Sequence, residues 1–153
     1  MTSSLKLVYE LVQNPNNSPE TLQSLATDKN SYVRWCVARN PNTSPEVLQT
    51  LATDENSNVR WYVGRNPNIP LETLKTLATD EDSGVRCGVA QNPNTSPEVL
   101  KTLATDENSN VRWCVAENPN YKSNKTLELT SEQFNALKEL IKSGQNPVLK
   151  SLL

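Results

Sequence analysis

Apolar and polar positions along this chain recur with a period of 26 residues, in four copies that begin at Asn14, Asn40, Asn66 and Asn92. The second copy, NPNTSPEVLQTLATDENSNVRWYVGR, and the fourth, NPNTSPEVLKTLATDENSNVRWCVAE, differ only at 49/101, 62/114, 64/116 and 65/117. A repeat of this length is one supersecondary unit that buries its apolar face only by stacking on its neighbours. Within a copy the pattern predicts two short helices. Ser44 suits an N-cap, Pro45 the first helical position and Glu46 the positive helix start. Val47, Leu48, Leu51 and Ala52 then share an apolar face, opposite Glu46, Gln49, Thr50 and Thr53, and the helix is expected to end near Asp54. A turn follows over 54–57, with Asn56 or Ser57 as the next cap. Val59 and Val63, four apart, form the buried stripe of the second helix. Asn66 is expected to close it in the left-handed conformation, with Pro67 blocking continuation. The third copy has Ile69-Pro70-Leu71 where the second and fourth have Thr-Ser-Pro, and so loses the serine cap.

The ends of the array need caps. Leu7 and Leu11 fall in register with Val33 and Val37, so 1–13 reads as an N-terminal half-repeat cap. The four repeats then occupy 14–39, 40–65, 66–91 and 92–117. The segment 118–153 reads as a partial fifth repeat and a C-terminal capping helix. That helix starts at a capping box of Thr130 and Gln133, buries Phe134, Leu137, Leu140 and Ile141, and ends at Gly144. Residues 121–129 are expected to be irregular chain.

The pattern NPxTSPEVLxxLATDxxxxVRxxVA resembles the leucine-rich repeat variant family, a relative of the HEAT and armadillo repeats. The resemblance covers 14–117 closely and 1–13 as a half unit. It implies an all-α, right-handed α-solenoid of paired short helices, one of the pair open to being a 3₁₀ helix, and a role as a binding scaffold. Some members carry an iron–sulfur cluster in a separate cysteine-rich module. This sequence has no such module, and no cluster is carried over.

Composition narrows the chemistry. Hydrophobic residues make up 35% of the 153, and the net charge is −2, without the basic excess of a general polyanion binder. Histidine, the commonest general base and metal ligand, is absent. The three cysteines are far apart in sequence, which argues against metal clusters and disulfide scaffolds and for free thiols. No apolar run approaches a membrane span and the first residues do not read as a signal peptide, so a cytoplasmic protein is expected, with no cofactor, no metal, no membrane association and no enzymatic activity.

Three sets of residues stand out. Arg34, Arg60, Arg86 and Arg112 share one register, and Asp28, Asp54, Asp80 and Asp106 another, six residues earlier. Both sit at the inter-helix turn, where four acids match four bases as a structural ion-pair ladder. Trp35, Trp61 and Trp113 share a register two residues after the buried valine, about 200° around the helix from it, with Cys87 filling the gap. Arg39, Arg65, Gln91 and Glu117 follow four residues on. An outward stripe of Trp35, Arg39, Trp61, Arg65, Trp113 and Glu117 suits a protein partner; the competing reading is that each tryptophan packs between units. Lastly, the copies carry net charges of +1, −1, −2 and −2 against +2 after residue 117, a polarity that allows weak head-to-tail self-association.

The leading reading is a non-catalytic scaffold for an unidentified protein partner. The alternatives are a nucleic-acid-binding HEAT-like solenoid, which the net charge disfavours, and a self-assembling structural repeat protein.

Overall fold

A computed structural model describes residues 14–124 and residue 139. Among the described residues the chain is an all-α solenoid. Its helices are α1 (Pro19–Leu25), α2 (Ser31–Arg39), α3 (Pro45–Leu51), α4 (Ser57–Arg65), α5 (Leu71–Leu77), α6 (Ser83–Gln91), α7 (Pro97–Leu103), α8 (Ser109–Glu117) and α9 (Pro119–Asn124). Seven-residue first helices alternate with nine-residue second helices, and both are α-helical, so neither member of the pair is a 3₁₀ helix. The expected 1–13 cap, the 130–144 helix apart from residue 139, and the tail lie outside the described residues.

The caps explain why such short helices hold. Ser18, Ser44 and Ser96 accept the amides of Thr21, Val47 and Val99, and Asn30, Asn56 and Asn108 cap the second helices. In the third copy Pro70 takes the cap position of α5 with no side-chain bond. Asp82 caps α6 instead of asparagine, accepting from the amides of Gly84 and Val85. Just before the first helix, the buried Thr43 and Thr95 hydroxyls donate to the Val37 and Val89 carbonyls at 2.6 Å. Ile69 replaces that bond with a buried apolar side chain.

Two boundaries differ from expectation. The first helix ends at Leu51, and the chain turns before Asp54, whose carboxylate accepts the Asn56 amide at 2.9 Å. Residues 121–124 are helical, not irregular, because Pro119 supplies the fixed φ of a helix start.

The core is continuous along the array. Leu48, Leu74 and Leu100 from the first helices meet Val59, Val63, Val85, Val89, Val111 and Val115 from the second, all nearly inaccessible to solvent. Successive second helices pack side by side, whereas successive first helices approach less closely. The second helices are thus the tight row of the array.

That row is stapled at both ends. At the C-terminal end, Asn66 is extended (φ −69°, ψ 130°) rather than left-handed. This exit turns its buried side chain back to the preceding unit, where Nδ2 donates to the Ala38 carbonyl at 2.7 Å and the Asn40 carbonyl at 2.9 Å. The Ala38 carbonyl is an open group at the end of α2, of the kind a helix cannot satisfy for itself, and the Asn40 carbonyl also accepts the Thr43 amide at 3.2 Å. Asn92 does the same for Gly64 and Asn66, and Asn118 for Ala90 and Asn92. Asn42, Asn68, Asn94 and Asn120 form a second rung on the carbonyls of Pro15, Pro41, Pro67 and Pro93.

At the N-terminal end the staple is ionic. Arg34 makes a two-pronged pair with Asp54 (Nε–Oδ2 2.6 Å, Nη2–Oδ1 2.9 Å) while its Nη1 donates to the carbonyls of Asp28 and Lys29. Arg60 holds Asp80 and Arg86 holds Asp106 in the same way. Each arginine therefore binds the aspartate of the next unit and the turn backbone of its own. The pairing holds these guanidinium groups above their ordinary pKa. Burial would raise Asp54, but the Arg34 and Asn56 hydrogen bonds and the charges of Arg34 and Arg60 hold it below the ordinary value. The Arg86 hydrogen bond lowers Asp106 likewise. A carboxylate lowered in the folded state contributes stability above its unfolded pKa of about 3.9, lost as pH falls through the native value.

The expectation of three free thiols is overturned. Cys87 and Cys114 are joined by a disulfide, with Cα atoms 5.6 Å apart, and only Cys36 is free and buried among the described cysteines. Their sequence separation of 27, one repeat plus one residue, places them on facing sides of adjacent second helices. Distance along the chain says little about distance in a solenoid whose neighbours are a period apart.

Two tests follow from these staples. Arg60→Ala strands a largely buried Asp80 and should cost about 3 kcal/mol in urea unfolding. Arg112→Ala, at an exposed arginine that among the described residues is bonded to the Asp106 and Glu107 carbonyls, should cost under about 1 kcal/mol. Equal losses would refute the ladder's inter-unit role. Separately, thiol titration of the denatured protein should find one reactive cysteine before reduction and three after it; three at the outset would rule out the bond.

Candidate functional site

The tryptophan register decides what the exposed face of the second-helix row offers. A position about 200° from the buried valine reads as outward on an isolated helix. Here the helix has a neighbour on each flank, and the stripe does not stand free. Trp35 stacks on Tyr62 of the next unit, with ring centroids 4.8 Å apart and planes 12° from parallel. Trp61 lies against Gly88 of the next unit, so closely that a Cβ there would sit 3.0 Å from both its Cδ1 and its carbonyl oxygen. Cys87 bonds to Cys114. These three pairs share one geometry, residue n of one unit against n+27 of the next. One space is filled by two aromatics, by tryptophan on glycine, or by a disulfide. The differences between copies in these columns therefore follow from complementary packing between neighbouring units. Trp113, whose counterpart would be position 140 outside the described residues, is 62% exposed.

The other candidate residues separate on the structure. Arg39 and Arg65 end α2 and α4 with exposed side chains. The Arg65 guanidinium lies 4.8 Å from the Trp61 ring centroid, a cation–π contact. Arg39, Trp61, Tyr62, Arg65, Asn66 and Pro67 line one shallow, open cup of about 440 Å³. On the other side of the Trp61–Tyr62 wall, Ser57, Asn58, Asp82 and Gly84 help line a hollow of about 330 Å³. Thus Arg39, Trp61 and Arg65 come together, Trp35 supports Tyr62 from behind, and Trp113 and Glu117 lie two units further along. Tyr62 was missed from the sequence, because its column holds cysteine or glycine in the other copies; the coupling at n+27 was the signal that could have found it.

The remaining charges are committed elsewhere. Arg34, Arg60 and Arg86 spend their donors inside the ladder, and Asp28 accepts the Asn30 amide at 2.8 Å. Of the acidic run 80–82, Asp80 serves Arg60 and Asp82 caps α6.

The leucine rich repeat variant family model matches residues 84–108, from the start of α6 through α7 and the following turn. The stretch 84–108 thus matches the leucine rich repeat variant that the 26-residue pattern resembles. No curated protein and no solved structure matches the chain. Among the described residues no helix is long and apolar enough to cross a membrane.

The environments of the three tryptophans differ enough to be measured. Acrylamide should quench a red-shifted fraction of the native emission, and Trp113→Phe should remove that fraction while leaving the blue-shifted remainder from Trp35 and Trp61. A Trp113→Phe protein with unchanged quenching would place the exposed ring elsewhere.

Proposed function

We propose that the chain is a non-catalytic repeat scaffold that holds a protein partner on the second-helix row, anchored at the cup of Arg39, Trp61, Tyr62 and Arg65. The observation that carries this reading is the contrast among the arginines. Arg34, Arg60 and Arg86 are largely buried and paired, whereas Arg39 and Arg65 stand exposed beside an aromatic wall that is already held in place by packing. Tryptophan, tyrosine and arginine are the side chains that most often dominate binding energy at interfaces. A wall fixed by its neighbours loses little freedom when a partner docks. The Cys87–Cys114 bond favours an oxidising setting for this scaffold, so the free thiols that pointed to the cytoplasm no longer support that placement.

A photo-crosslinking residue at position 65, compared with one at exposed Gln49 on a first helix, tests the reading in the native cell. A discrete protein adduct at position 65, absent from position 49, is expected. Adducts at neither position would sink the scaffold reading, and nuclease-sensitive adducts would turn it toward nucleic acid.

A further inference from the structure

Resting on the scaffold reading, the identity of the anchoring residues also indicates what the partner presents. We infer that the Arg39–Arg65 cup takes an acidic, proline-containing peptide in the polyproline II conformation, with two carboxylates three residues apart.

The charge balance comes first. Neither Arg39 nor Arg65 pairs with a carboxylate among the described residues, while Arg34, Arg60 and Arg86 all do. Two cations thus stand on one rim with no carboxylate of the described residues paired to them. Spacing comes next. Arg39 and Arg65 hold equivalent positions on α2 and α4, which pack side by side, and packed helix axes lie about 8–10 Å apart. A polyproline II segment rises about 3.1 Å per residue with three residues per turn, so residues i and i+3 share a face about 9 Å apart. In a β-strand, i and i+3 face opposite ways. The floor of the cup supplies the third argument. Trp61 and Tyr62 line the cup together with the two arginines, an aromatic surface of the kind against which the rings of a proline-rich segment dock at low entropic cost.

The row also limits how long the acidic stretch is. The residues that end the second helices run Arg39, Arg65, Gln91, Glu117. A long polyanion laid along them would leave the two arginines and meet the Glu117 carboxylate. A short segment with two carboxylates engages the cationic half alone. This, with the net charge of −2, favours a peptide over a nucleic acid.

The test uses the full chain and a fluorescein-labelled peptide with the core Glu-Pro-Pro-Glu, read by fluorescence anisotropy at low salt. Saturable binding is expected, weakening as salt rises and changing the Trp61 emission. Arg39→Glu with Arg65→Glu should weaken it by roughly tenfold or more. Lys29→Glu, a charge reversal at the opposite end of α2, should leave it unchanged. Both reversals lie at exposed positions, and circular dichroism confirms that each variant is folded. No saturable binding, equal binding by the double variant, or tighter binding of a single-stranded oligonucleotide than of the peptide would each overturn the inference. A partner still cross-linked at position 65 in those cases leaves the scaffold reading standing; loss of both results removes both.

Discussion

The repeats stand because each second helix has buried polar groups at both ends that only the next unit can satisfy. The Ala38 carbonyl at the end of α2 is closed by the Asn66 side chain, which also reaches the Asn40 carbonyl alongside the Thr43 amide. Asp54 enters a nearly dry environment because Arg34 of the preceding unit meets it with two hydrogen bonds. A buried carbonyl or carboxylate without such a partner costs far more than an ordinary hydrogen bond contributes. These ladders therefore specify register as much as stability. Sliding one unit against the next by a single residue would break the asparagine and the arginine staples together.

Between the two staples the interface is permissive, and the sequence uses that freedom. Trp35 on Tyr62, Trp61 on Gly88 and Cys87 bonded to Cys114 fill one space in three ways. The volume lost from one side is taken up by the other, as close packing requires. Where Gly88 gives up its side chain, the Trp61 ring moves onto the backbone itself. The aromatic wall at the first two interfaces is a by-product of this solution, and it leaves rings beside Arg39 and Arg65 on the accessible face. The third interface has a covalent bond where the other two have rings, so among the described interfaces an aromatic wall of this kind is confined to the first two.

The surface chemistry follows from what the fold consumes. Three arginines, Arg34, Arg60 and Arg86, are matched in the ladder by Asp54, Asp80 and Asp106, and these charges cancel in place. What remains is the exposed residue that ends each second helix, and its charge changes from cationic in the first two repeats to neutral and then anionic in the last two. A scaffold built from near-identical units thereby acquires direction. The array presents a different surface toward each end, although the backbone beneath hardly changes.

The sequence by itself determined the period, the two helices of each unit, the serine and asparagine caps and the buried leucines and valines, because each of these depends on residues within a few positions of one another. The Asp and Arg registers were legible for the same reason: matched columns of opposite charge at one turn. It did not reveal which unit's aspartate each arginine takes, nor that Asn66 leaves its helix extended to reach back one repeat. The sequence left open whether Trp61 faces outward or packs between units, because a helical wheel has no neighbours; on the stacked helices it is partly accessible and also packs on Gly88. The disulfide and the place of Tyr62 escaped for one common reason. Both depend on pairing between different columns of adjacent repeats, 27 residues apart, a relation set by how the second helices lean on one another and visible only when they are stacked.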